Sequence, residues 1–192
     1  MWRKRSEAAC PDLAGDDPYV DQVPLSRAIP LWGGVSAGGF AEVLIHETKK
    51  LNGTEWAEAV DSGRLRDAIK SLRPIEPNGP WKAISDNERF LRTALAGAAH
   101  RRAGVKLWRI PAKSPDLNPA EKYWSWLRWK LRALDLADAL KKRPVLSKMA
   151  YKARVRSVCR SKRSQAVASA CAIGLKKVCK EVIKKKGAAT RG

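Results

Sequence analysis

Ser114-Pro-Asp-Leu-Asn-Pro-Ala-Glu121, followed at once by Lys-Tyr-Trp-Ser-Trp-Leu-Arg-Trp-Lys-Leu-Arg132, is a turn that launches a helix. Pro115 and Pro119 bracket the turn. Asn118 suits the N-cap and Pro119 the first helical position, which puts Glu121 third. Asn-x-x-Glu is a variant of the capping box, so Glu121 has two readings: it caps the helix, or the turn aims it into a site built by other segments.

The upstream sequence bears on that choice. Trp81-Lys-Ala-Ile-Ser-Asp86-Asn87 reads as a short strand ending in an acid, and Val105-Lys-Leu-Trp-Arg-Ile110 as the next strand. Glu88 to Arg102 between them has helical composition, and thirty-four residues separate Asp86 from Glu121. An Asp-Asn at a strand end, a helix, a strand stopped by Pro111, then Ser-Pro-Asp-Leu-Asn-Pro-x-Glu-x-x-Trp: this resembles the mariner-like DDE transposases and their bacterial insertion-sequence relatives. The similarity runs from about Leu31 to Arg132, since Leu31-Trp-Gly-Gly-Val-Ser36 resembles the family's Trp-Gly strand before the middle carboxylate.

The resemblance implies an α/β fold: an RNase H-like mixed sheet with flanking helices. It implies strand cleavage and transfer on DNA, as in transposition and integration. Asp86 and Glu121 would be catalytic and metal-binding, and Asn87 would orient the site. Mg²⁺ or Mn²⁺ is the implied cofactor, because hard divalent ions prefer oxygen donors. The family uses three carboxylates, the first on a strand well upstream of Trp32. Here the acids before Trp32 are Asp12, Asp16, Asp17 and Asp21, and none ends an apolar run. The expectation is a domain truncated at its N-terminus, lacking the first strand and its Asp, with weakened metal binding and impaired catalysis.

Charge is distributed unevenly. Residues 1–121 hold 18 Lys/Arg and 16 Asp/Glu, whereas residues 122–192 hold 21 Lys/Arg and three acids, Asp135, Asp138 and Glu181. Such a basic block attracts polyanions with steep salt dependence. The expected phosphate contacts are Arg128, Lys130, Arg132, Lys141, Lys142, Arg143, Lys176, Lys177, Lys180 and Lys184. A non-catalytic nucleic-acid-binding protein that uses these basic helices is the alternative to a transposase remnant.

No apolar run is long enough to span a membrane, and Met-Trp-Arg-Lys-Arg at the start lacks the core of a secretory signal. An intracellular protein is expected, nuclear if eukaryotic, with DNA as partner and no membrane. Cys10, Cys159, Cys171 and Cys179 lack Cys-x-x-Cys spacing, and His46 and His100 lie far from them, so no zinc site is expected.

Along the chain, residues 1–30 are irregular and proline-interrupted. Residues 31–135 form the endonuclease core, and 141–192 a basic helical extension. Within the core, 31–47 reads as a hairpin and 52–72 as one helix with Gly63 its weak point; Arg73–Pro80 is a loop. His100 reads as a cation at a helix C-terminus. Trp124, Leu127, Leu131 and Leu134 form a core-facing stripe, while Trp126 and Trp129 either pack on the next helix or stack on bases. Two basic helices follow, 147–163 and 164–186. A missing central strand would leave unpaired sheet edges, an opening for a homodimer.

Overall fold

The computed structural model describes residues 29–45, 51–111 and 114–186. Strand β1 (Leu31–Ser36) and strand β2 (Gly39–Ile45) form the expected antiparallel hairpin. The register shifts between Trp32 and Gly33. A Cβ on Gly33 would lie 2.5 Å from the Phe40 ring and 2.7 Å from the Ala41 carbonyl oxygen, so only glycine admits this approach. His46 lies outside the described residues.

The single helix expected over 52–72 is two. Helix α1 (Gly53–Asp61) ends before Gly63, whose φ of 88° lies in the left-handed region, and α2 (Arg64–Ser71) starts anew. Asn52 caps α1 through a complete capping box. Its side chain accepts from the Glu55 N–H at 2.9 Å, and the Glu55 carboxylate accepts from the Asn52 N–H at 3.0 Å.

Strand β3 (Trp81–Ser85) pairs in parallel with β4 (Val105–Arg109). The helix expected from Glu88 starts later. A 3₁₀ turn, Arg89–Arg92, comes first, and Thr93 caps α3 (Ala94–Arg102) by accepting from the Ala96 N–H. A second 3₁₀ turn, Pro115–Leu117, leads into α4 (Pro119–Leu140), then α5 (Lys148–Arg160) and α6 (Lys162–Lys184). Ser161 ends α5 and caps α6, which puts the break three residues before the expected one.

Among the described residues the strands form two separate two-stranded sheets, the hairpin and the parallel pair. Two cores match them. The first joins Trp56, Val60, Leu65, Trp81, Leu91 and Val105 with the alanine face of α3. Burying a Trp or Val side chain of this kind contributes on the order of 1.5–3 kcal/mol. The second joins Phe40 on the hairpin to Tyr123, Leu127 and Leu131 of α4 and to Val155, Val158 and Ala168 of α5 and α6.

The expected stripe on α4 holds, with Tyr123 added as its most buried member. The Tyr123 and Ser164 hydroxyls hydrogen-bond at 2.8 Å, and Phe40 stacks on the Tyr123 ring. Trp126 packs against this core, whereas Trp129 is 64% exposed. Helix α6 is tied to the hairpin: Gln165 bonds both the Phe40 N–H and its carbonyl, and the Ser169 hydroxyl donates to Ala37.

Candidate active site

Asp86 follows β3 directly, and two bonds fix that strand end. The Ile110 N–H donates to the Ser85 carbonyl at 3.0 Å, and the Asn87 amide donates to the Ile110 carbonyl at 2.8 Å. Asn87 therefore clamps the Asp86 segment to the chain that leaves β4 for the turn. Asp86 and Asn87 line an open cleft of about 710 Å³ whose other described walls are Trp32, Leu51, Glu88, Arg89 and Phe90.

Glu88, read from sequence as the start of a helix, lies instead at this cleft. Burial raises its pKa, and the neighbouring charge of Asp86 raises it further. Two acids flanking Asn87 in Asp86-Asn-Glu88 were the available signal. The Asp86 carboxylate also accepts a long 3.4 Å bond from the Glu88 N–H.

Glu121 sits in the first turn of α4, and the local geometry separates its two readings. Asn118 is the N-cap, but its side chain accepts from the Ala120 N–H at 3.1 Å, and no capping box closes around Glu121. Among the described residues the Glu121 carboxylate has no hydrogen-bond or ion-pair partner. Glu55 and Glu121 thus occupy the same sequence pattern with different outcomes. Glu121 does not line the Asp86 cleft among its described walls.

The donor chemistry suits a hard divalent cation, since Asp86 and Glu121 offer carboxylate oxygens unpaired with any described basic side chain. The donor number is small. Among the described residues no three His, Cys, Asp or Glu side chains come together in a way that could hold a metal ion.

His100 belongs to the first core. It is 4% exposed, and its Nε2 accepts from the Trp56 indole N–H at 2.9 Å. Burial lowers its pKa, so it is not the helix-terminal cation that its position suggested. Among the described residues its Nδ1 is buried without a hydrogen-bond partner.

The expected phosphate-contacting residues are distributed over the surface. Arg128, Arg132, Lys141, Lys142, Lys176, Lys177, Lys180 and Lys184 are exposed, and Lys130 is half-buried. Arg143 is exposed and pairs with Asp138 at 2.9 Å. No described helix is long and apolar enough to cross a membrane.

Two strands in parallel with Asp86 directly after the first, a turn that delivers Glu121 on a helix, and a separate helix-covered hairpin make an α/β architecture. The chain belongs to the DDE superfamily endonucleases, whose family model matches residues 4–142. Its fold is similar to the catalytic domain of the Mos1 mariner transposase, with a TM-score of 0.57 at 12% identity over 91% of this chain and 89% of that one. Structures of the Mos1 catalytic domain and raltegravir with Mn or with Mg match with TM-scores of 0.56 and 0.55 at 13% and 12% identity, each covering 91% of this chain and 90% of that one. No curated protein matches the sequence.

Proposed function

We propose that this chain is a DNA-binding DDE domain in which Asp86 and Glu121 hold a divalent metal weakly, so that strand cleavage and transfer are impaired. The observation that carries the reading is Glu121: it sits at a capping position, yet its carboxylate takes no part in the cap. A bound Mg²⁺ or Mn²⁺ would supply activation of a water or 3′ hydroxyl and charge stabilisation at the leaving oxygen. Asn87 holds Asp86 at the strand end, and the Glu88 carboxyl lines the same cleft. Impairment is inferred from the two candidate carboxylates among the described residues, since two carboxylates alone make a poor two-metal site.

In this proposal residues 31–135 are the endonuclease core and 141–192 the basic extension that grips DNA. A homodimer through the free edges of the two described sheets and a nuclear location are part of the same reading. Nicking of supercoiled plasmid in Mn²⁺ tests it. Slow nicking that disappears in Glu121→Ala supports the site, and nicking of equal rate in that variant removes it.

A second reading is supported by the exposed lysines of α6: a non-catalytic nucleic-acid-binding protein that uses the basic C-terminal helices. It expects no nicking at all, with binding lost in Lys176→Gln/Lys177→Gln/Lys180→Gln/Lys184→Gln and unchanged in Asp86→Ala.

A further inference from the structure

A parallel pair of strands is ordinarily covered on both faces. The β3–β4 pair is covered on one. Trp81, Ala83, Val105 and Leu107 alternate into the first core. The residues between them, Lys82, Ile84, Lys106 and Trp108, are all exposed, Ile84 at 47% and Trp108 at 51%. The register sets Lys82 beside Lys106 and Ile84 beside Trp108. The outer face is therefore a pair of cations next to an apolar pair that includes an indole. Neither strand contains an acid.

This face costs stability as it stands. Like charges directly opposite each other repel, and a half-exposed Ile and Trp forgo the gain of burial. Among the described residues neither Lys82 nor Lys106 forms an ion pair with an acid. Lys82 Nζ lies 5.2 Å from the centroid of the Trp108 ring, a diagonal contact across the pair that holds the ammonium beside the indole. A ligand that answers both rows is anionic along one line and flat and aromatic along the next. A nucleic-acid strand has that chemistry, with phosphates for the lysines and a base for the indole. In a duplex the base faces are stacked on one another, whereas a single strand offers them to a side chain. The pair is backed by α1 and α3 through the first core, and a helix alone is about 10–12 Å across, so the pair does not enter a major groove about 12 Å wide. A surface that inserts into lipid would instead present a large apolar face.

We infer that the outer face of β3–β4 binds single-stranded DNA, with a base stacked on Trp108 and phosphates on Lys82 and Lys106. The inference rests on DNA as the partner proposed above and needs neither metal nor cleavage. Strand β3 ends directly before Asp86, so the face adjoins the candidate cleft. The test is fluorescence anisotropy of a labelled 15-base oligothymidylate and of a labelled 15-base-pair duplex, both in EDTA across a salt series.

Trp108→Ala is expected to weaken oligothymidylate binding by about 5- to 150-fold, for one lost stacked base, and to leave duplex affinity within about twofold. Trp108→Phe, which keeps a ring, is expected to retain most of the parent affinity. Lys82→Gln/Lys106→Gln, at exposed positions, is expected to make the single-strand salt slope shallower by about 1.4, at ~0.7 for each phosphate contact. That variant stands in for Trp108→Ala if the latter folds poorly. Asp86→Asn is expected to bind both DNAs as the parent does. Parent-like oligothymidylate binding by Trp108→Ala, or an equal loss on both DNAs, overturns the inference. So does a Trp108→Ala loss confined to oligouridylate, which would assign the face to RNA, or one confined to self-association in gel filtration, which would assign it to a second copy of the chain. A parent that binds neither DNA removes the proposed DNA-binding function, whereas a parent that binds the duplex alone removes only this platform.

Discussion

Replacing Glu55 and Glu121 separately by Ala distinguishes a structural from a functional carboxylate in one chain. Both stand third in a helix that Asn caps, so both substitutions remove an acid from a helix N-terminus, each at a cost of about 0.3–1 kcal/mol. Only Glu55 also closes a capping box, accepting from the Asn52 N–H at 3.0 Å. Losing that bond costs a further ~0.5–1.5 kcal/mol. Glu55→Ala should therefore destabilise by about 1–2 kcal/mol and Glu121→Ala by less than about 1 kcal/mol. For a chain of 192 residues, 1 kcal/mol corresponds to roughly 2–4 °C in Tm, so the two melts should differ by a few degrees. Thermal unfolding by circular dichroism reads the difference directly, and plasmid nicking on the same samples should fall with Glu121→Ala alone. Equal destabilisation by the two substitutions would refute the reasoning, because it would make Glu121 a capping residue.

The remaining expectations concern the two cores. Tyr123→Phe leaves the buried Ser164 hydroxyl without its 2.8 Å partner and should cost about 1–3 kcal/mol, whereas Tyr123→Phe/Ser164→Ala should recover part of it; denaturant melts measure both. Burial depresses the folded-state pKa of His100 below its unfolded value of 6.5. Above pH 6.5 both states are neutral at this position and the stability is fully present. As pH falls below 6.5 the unfolded chain takes up the proton first, so stability should decline until the folded-state pKa is passed. Melts across pH 5–8 on parent and His100→Leu check this, with the variant losing that part of the pH dependence.

Local chemistry was the legible part of the sequence. The Asn118–Pro119 helix start, the hairpin, the strand ending at Asp86 and the Leu127–Leu131 face of α4 all follow from turn residues and side-chain period. What escaped reading depends on contacts distant in sequence. The Trp56–His100 bond joins residues 44 apart and the Tyr123–Ser164 bond residues 41 apart, and neither leaves a periodic trace. Gly63 stood inside an otherwise helical stripe, and its left-handed φ turned a weak point into a break. Arg89–Arg92 had helical composition, but the Thr93 cap sets the helix start later. In the candidate site, the placement of Asp86 just after a strand and of Glu121 in the first turn of a helix was legible from local sequence. The clamp from Asn87 to Ile110, the approach of Glu88 and the unclosed cap at Glu121 needed the fold.

The central claim, that Asp86 and Glu121 together hold a divalent metal, is tested most directly by Mn²⁺ titration followed by electron paramagnetic resonance. Parent protein, Asp86→Asn and Glu121→Gln are compared, each with and without duplex DNA. The account expects one weak site in the parent that both substitutions remove, with DNA binding intact in all three. Mn²⁺ binding that survives either substitution at parental affinity would contradict it.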